Sequence, residues 1–313
     1  MRGNKKIVLF IGLIVLTVNV FGQFEPDRLR LNIGLGTSSY LGDLIKQHVP
    51  IVKQVSADFT AGITYDVSPD IPQLRARLNI SLLGIRGNDN FNPRLDSRAR
   101  NLNFKSTVWE IAPMIEYDLV DRSVYNIVPY VFAGVGIYHF NPYTYLQNFN
   151  GKVYLHDIGT EGQFLEDATK KSLGIGNNSY KLTQLNIPLG VGLRYEVSET
   201  FSLGIELNYR VLFTDHLDDV SANKYVPKGT FLASPAYNHP YNGSSWTVGQ
   251  LAEALSYRGI SVDGFNYNYN LRRGNPNNKD AFYSLQIMAT FRLDNLPFGN
   301  NGPFSGRNRS YGY

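Results

Sequence analysis

The chain has 313 residues, of which 43% are hydrophobic and 18% charged, with a formal net charge of +4 and no cysteine. The lack of cysteine excludes disulfide staples, a lipoprotein anchor and a thiolate metal centre. Three of the positive charges, Arg2, Lys5 and Lys6, sit in the first six residues, so the remainder stands at +1 and offers no bulk attraction for nucleic acid.

The N-terminus joins this basic start to the apolar run Ile7 to Val20 and then to Phe21-Gly22-Gln23. An apolar core of about 14 residues is too short for a membrane-spanning helix, which needs about 20, and fits the h-region of a secretory leader. Residues 1–22 therefore read as a signal peptide, with Gln23 as the mature N-terminus. No other stretch approaches a transmembrane helix, so any membrane assignment rests on strands.

Strand periodicity follows almost at once. Leu29, Leu31, Ile33 and Leu35 alternate with Arg30 and Asn32, and the apolar members of each such set carry no charge. Phe59, Ala61, Ile63, Tyr65 and Val67 oppose Asp58, Thr60, Gly62, Thr64 and Asp66. Leu74, Ala76, Leu78, Ile80 and Leu82 oppose Arg75, Arg77, Asn79 and Ser81. In the fourth set Trp109, Ile111, Pro113, Ile115 and Tyr117 face away from Glu110, Met114 and Glu116; in the fifth, Val131, Ala133, Val135 and Ile137 face away from Tyr130, Phe132, Gly134, Gly136 and Tyr138. Two long runs come next, Ile187 to Val197 and Phe201 to Phe213, with Arg194, Glu196, Glu206 and Arg210 on their polar side. The eighth set is Tyr283, Leu285, Ile287, Ala289, Phe291 and Leu293 against Ser284, Gln286, Met288, Thr290 and Arg292. The longest of these exceed the 5 or 6 residues usual in a soluble sheet and reach the roughly 9 to 11 of a tilted strand in a bilayer. Strands in hydrocarbon must close into a barrel, because an open edge leaves backbone groups unpaired.

The connections alternate. Those near 68–72, 118–126 and 198–200 are short; those near 37–56, 84–104, 139–182 and 214–279 are long and read as polar loops. Short turns on one side and long loops on the other are the asymmetry of outer-membrane barrels, with the turns periplasmic. An even strand number then puts both termini in the periplasm. Pro113 and Pro188 fall inside spans and predict a bulge or rim position, since proline donates nothing to a ladder. Short helices are predicted within Glu161 to Leu173 and Thr247 to Tyr257, where Leu251, Ala252 and Leu255 have helical spacing. Residues 294–313, rich in Gly, Asn and Arg, read as a flexible periplasmic tail.

The candidate functional residues fall into two groups. On the inward face, Arg30, Arg75, Arg77, Arg194, Arg210 and Arg292 are matched by Asp58, Asp66, Glu110, Glu116, Glu196 and Glu206. Opposite charges in a narrow, poorly solvated lumen pair, and an eight-strand barrel is only wide enough for its own side chains, which predicts a plug rather than a pore. The pairs Gly34/Gly36, Gly134/Gly136 and Gly190/Gly192 lack the third glycine and helix of a dinucleotide fingerprint and instead make room for large inward side chains. The second group lies beyond the seventh span: Asp215, His216, Asp218, Asp219 and Ser221 form an acidic extracellular-loop motif, a candidate partner contact or calcium contact without the spacing of an EF-hand. Neither group implies a cofactor. His139 and His216 are the histidines nearest the outer rim, yet nothing in the sequence completes a triad around them.

The stretches Gly36 to Leu44, Arg98 to Ser106, Pro129 to Gly136, Gly159 to Gln163 and Phe213 to Ser221 resemble the PorG-like family of outer-membrane barrels, many of whose members are known only as a domain of unknown function. The likeness extends over about 31–225 and the last strand. It implies a barrel in the outer membrane and, through the family's association with type IX secretion, a place beside periplasmic components of that machine. The loop 222–279 and the Arg-containing tail depart from the family pattern.

The fold class is thus all-β: a transmembrane antiparallel up-and-down β-barrel of about eight strands, OmpA-like, with long extracellular loops, occupying 23–293. The expected role is a non-enzymatic structural anchor or interaction component of an envelope secretion assembly, in contact with outer-membrane lipid and periplasmic partners of a Gram-negative bacterium. The alternatives are a narrow channel or receptor for a small solute and, third, a lipid-modifying enzyme at the rim.

Overall fold

The computed structural model describes residues 28–45, 54–176 and 179–293; the segments 1–22 and 294–313, expected to be a leader and a tail, lie outside them. In chain order the strands are β1 (Leu29–Leu41), β2 (Ser56–Ser68), β3 (Ile71–Asn88), β4 (Asn103–Asp118), β5 (Ile127–Gly134), β6 (Gly136–His139), β7 (Tyr143–Thr144), β8 (Val153–Tyr154), β9 (Thr183–Glu196), β10 (Phe201–Leu212), β11 (Ser261–Val262), β12 (Phe265–Asn266) and β13 (Ala281–Arg292). Helices α1 (Leu95–Arg100), α2 (Leu155–Ile158), α3 (Asp167–Leu173), α4 (Thr230–Ala233) and α5 (Val248–Ser256) all lie in the long connections.

Each wall strand pairs antiparallel with its sequence neighbours, and β13 returns to β1 in the register Arg30↔Arg292 through Leu41↔Ala281. With β5 and β6 sharing one position, the ring has eight staves and no open edge. Because β1 leaves and β13 arrives at the same end, both ends of the described barrel lie beside the short turns. Among the described residues no helix is long and apolar enough to cross a membrane; the outside of the barrel has that character instead. Leu35 is 62% and Ile287 64% exposed, and Ile80, Ile115, Val191 and Ile205 are likewise bare. Aromatic side chains ring this belt, with Tyr117, Tyr195 and Phe201 near the short turns and Trp109, Tyr209 and Phe213 toward the other end, the interfacial placement that amphipathic rings prefer.

The two prolines produce no bulge. Register runs unbroken through Leu78↔Pro113 and Arg210↔Pro188, correcting the sequence expectation. The interruption falls on the stave between them. Val135 lies opposite Pro113, to whose carbonyl it donates at 3.2 Å, and extending the β5–β9 register sets Gly134 opposite Pro188. Two successive carbonyls therefore face residues with no N–H to give, and the strand divides into β5 and β6 at that point.

The long connections also differ from their expected polar character. β3 and β4 stay paired out to Asn88↔Asn103, well above the belt. Around this extension the loops bury the largest apolar cluster of the described chain: Leu44, Phe104, Phe140, Val153, Ile158, Leu217, Val226, Phe231, Tyr237, Leu251 and Leu255 among others. They form a folded cap. Inside the barrel the only apolar cluster among the described residues is Ala112, Met114, Tyr130 and Phe132. The hydrophobic core of this molecule is thus outside its barrel. Helix α5 supplies its apolar stripe from Val248, Leu251, Ala252 and Leu255, and a capping box between Thr247 and Gln250 starts it.

Candidate functional site: a charged lumen beneath a knotted cap

The inward members of the alternation converge at mid-barrel. Glu116 sits at the centre, accepting from Arg75 Nη1 at 3.2 Å, Arg77 Nη1 at 3.2 Å and Arg194 Nη1 at 2.8 Å. Arg77 reaches across the lumen to Glu206 at 2.8 Å, which also receives the Tyr130 hydroxyl at 3.2 Å. Arg194 pairs with Glu196 at 3.2 Å and lies with its guanidinium 4.6 Å from the Tyr130 ring centre; Arg77 is 5.2 Å from that of Phe132. Gly190 and Gly192 make these rings possible, since a Cβ on either would overlap the Phe132 or Tyr130 side chain. One layer toward the cap, Glu110 accepts from Arg210 at 3.1 Å and Asn186 at 2.6 Å, with Asp58 buried close to Arg210. Toward the short turns Asp66 takes Arg75 at 3.1 Å and Arg30 at 3.4 Å, while Arg292 stands half-buried at the rim beside Arg30.

Two members escape the sequence reading. Asp118 ends β4 rather than opening a turn, and it binds Arg75 at 3.1 Å and also Arg194. Arg122, from the turn itself, folds back to Asp66 with two bonds of 3.0 Å. Asp118 continues the spacing of Glu116, so its signal was present; Arg122 has no periodicity to announce it. Buried ions are costly alone, and this lumen holds them in mutual contact across six staves.

Above the barrel, the acidic motif is buried. Asp215, Asp218, Asp219 and Ser221 are each at most 5% exposed, so they offer a partner little surface. Asp218 accepts from the Tyr40 hydroxyl of β1 and from Val220 N at 2.9 Å. Asp280, at the entry to β13, lies 3.2 Å from the same hydroxyl and accepts from Leu217 N at 2.8 Å. Asp219, in the left-handed region at φ 60°, accepts from Thr160 and from Tyr180 Oη at 2.9 Å. His216 stacks on Tyr180 with centroids 4.7 Å apart. The motif thereby ties β1, β10, β13 and the loop 140–182 together. Among the described residues no group of His, Asp or Glu side chains is set to hold a metal ion, and the carboxylates of Asp218 and Asp219 are turned to hydroxyls and a backbone amide.

The sequence reading also missed two buried guanidiniums that complete the knot. Arg273 pairs with Glu161 and donates to Asp219 O at 2.8 Å and Thr160 Oγ1 at 3.0 Å. Arg100 binds Asp89 through two bonds of 2.8 Å. Burial pushes the carboxyls of Asp218 and Asp280 far up, each reinforced by neighbouring carboxylates, and raises Glu161 and Asp219 in the same sense. Asp215 is pushed up to about 7, by burial first and then by Asp43 and Glu161. Burial lowers His216.

Neither rim histidine meets a serine hydroxyl among the described residues. His139 Nδ1 contacts Thr183 Oγ1 at 2.9 Å and its ring stacks on Trp109 at 5.6 Å. His216 Nδ1 lies 3.9 Å from Glu161, while Ser221 donates its backbone N–H to that same carboxylate at 2.8 Å.

No protein-family model matches the chain, and no curated protein does. Among solved structures, similarity extends to neisserial surface protein A at 7% identity, covering 85% of this chain and 97% of that one with a TM-score of 0.39. Ail of Yersinia pestis, solved with the heparin analogue sucrose octasulfate, is 8% identical over 84% of this chain and 96% of its own, TM-score 0.36. OprG of Pseudomonas aeruginosa is 9% identical over 84% and 94%, TM-score 0.35. Scores this low leave the description of the fold to the chain's own closed register.

Proposed function

We propose that this chain is a non-enzymatic outer-membrane barrel of a Gram-negative bacterium that anchors an envelope protein-secretion assembly of the type IX kind. Its exterior belt would contact outer-membrane lipid, the short turns and both termini would face the periplasm, and the cap would stand outside the cell. The observation that carries this reading is the filled lumen: eight staves enclosing a lattice of ion pairs under a packed cap present a rigid body rather than a passage. What such a body can offer is its surface. The PorG-like motifs support the secretion assignment, and the exposed tips of the turns, Asp70, Ser123 and Glu199, are where periplasmic partners would dock.

The test is in-cell photo-crosslinking from those three positions, followed by extraction from native membranes. Adducts with periplasmic secretion components are expected; adducts with lipid and porins alone would overturn the anchor role. Planar-bilayer recording separates the channel alternative, with no sustained single-channel conductance expected from the purified barrel.

A further inference from the structure

A polar cleft of about 430 Å³ opens in the cap between helix α1 and the segment that leads into β13, lined by Arg94, Asp96, Ser97, Tyr267, Arg272 and Asn278 among others, with Asp43 and the buried Arg100 and Arg273 at its base. Its volume lies in the range of about 300–1,000 Å³ typical of small-molecule sites, but its lining is nearly all polar, which disfavours an apolar ligand. The guanidiniums at the base are already matched, Arg100 by Asp89 and Arg273 by Glu161. At the mouth, Arg272 is not. Arg272 is exposed, and its guanidinium is held by two neutral acceptors, Gly274 O at 2.5 Å and Asn275 Oδ1. It therefore keeps its whole charge in a fixed orientation. Arg94 meets Asp96 in a solvent-exposed pair, which an incoming anion can exchange at small cost.

The walls are braced rather than loose. Asp43 fixes the segment by accepting from Asn275 N at 2.5 Å and Asn278 Nδ2 at 3.3 Å. The Tyr267 hydroxyl donates to Arg272 O at 2.7 Å, tying the arginine to the tyrosine cluster of Tyr225, Tyr257 and Tyr269. Pre-oriented guanidiniums suit the planar oxygens of a carboxylate or phosphate. The Asn278 carboxamide, the Asp96 carboxylate and the Ser97 hydroxyl around them supply donors and acceptors suited to a ligand rich in hydroxyls.

We infer that the cleft binds an anionic saccharide, its acid group seated on Arg272 and Arg94 and its hydroxyls on Asn278 and Asp96. Such chemistry comes from the phosphorylated core of lipopolysaccharide or from an acidic polysaccharide outside the cell.

The test uses the full chain in nanodiscs free of lipopolysaccharide and titrates three probes by calorimetry: phosphorylated core oligosaccharide, oligogalacturonate and neutral maltooligosaccharide. At least one acidic probe is expected to bind, more weakly as salt rises, and R94Q/R272Q to weaken it about tenfold or more. Binding of the core oligosaccharide assigns the ligand to the bacterial surface; binding of oligogalacturonate alone assigns it to foreign polysaccharide. R98Q, which breaks a surface pair with Asp263 away from the cleft, should bind as the parent does. Trp246 emission in each variant reports folding of the cap and the heat-modifiable gel shift that of the barrel, and R94Q alone, on a solvent-exposed side chain, serves if the double variant is unfolded. The proposal fails if neither acidic probe binds, if the neutral probe binds as well as they do, or if a folded cleft variant keeps the parent affinity.

Discussion

Glu116 illustrates what one residue does in a lumen without water to spare. Three guanidiniums from two strands share its two oxygens, so removing it leaves uncompensated positive charge rather than a missing bond. Glu116→Leu is expected to destabilise the barrel by about 3–5 kcal/mol in urea titrations from phospholipid vesicles. Adding Arg75→Leu should recover part of that loss, because the pair is coupled through a shared network. Asp215 argues in the opposite direction. Its carboxyl is raised to about 7 from 3.8, so between those values the folded chain keeps a proton that the unfolded chain has released. Stability from this group is therefore undiminished below pH 4 and falls as pH rises toward 7. Asp215→Asn should raise the cap's melting temperature at pH 8 and leave it unchanged at pH 4, as followed by thermal melts. The lumen residues were legible in the sequence because each obeys a two-residue period; Arg122, Arg100 and Arg273, supplied by turns and loops, obey none.

At the scale of elements, the strands were legible for the same reason, and their limits were misread where the period lapses. Gly84, Arg86 and Asn88 interrupt the apolar face of β3, although its pairing with β4 continues to Asn88↔Asn103. The extension is held by burial of Leu83, Ile85 and Phe104 within the cap, which alternation with a lipid face cannot reveal. The prolines were misjudged in the other direction: a ladder with both neighbours present tolerates a missing donor without changing register. Pro113→Ala would give the Val135 carbonyl a donor, and a gain of about 1 kcal/mol in unfolding free energy is expected, with slower amide exchange along β6. Helix α5 was legible from its spacing, and its start is sensitive to one side chain. Thr247 Oγ1 accepts from Gln250 N at 3.2 Å, and Gln250 Oε1 accepts from Thr247 N at 2.8 Å. Thr247→Ala should cost about 1 kcal/mol of cap stability.

The whole molecule is two bodies stacked on a single ring, and their cohesion has different origins. The barrel is closed by backbone pairing and filled with ions; the cap is closed by apolar burial drawn from connections whose hydrophobic residues are scattered without period, and for that reason sequence reading took them for polar loops. Contacts such as Tyr40 with Asp218 and Asp280 join the two. Loss of cap packing should therefore disorder the cap without opening the ring, since no stave depends on Leu251 for its hydrogen bonds. The chain has two tryptophans, one in each body: Trp109 on the outer belt and Trp246 packed edge-on against Phe149, 6.5 Å between centroids. Leu251→Ala removes a fully buried side chain from the cap core, at an expected cost of about 2–5 kcal/mol. In a Trp109→Phe background, Trp246 emission should then shift to the red at lower urea than in the parent, while strand circular dichroism and the heat-modifiable gel shift keep the parent midpoint. Coincident movement of all three signals would mean that cap and barrel unfold as one cooperative unit.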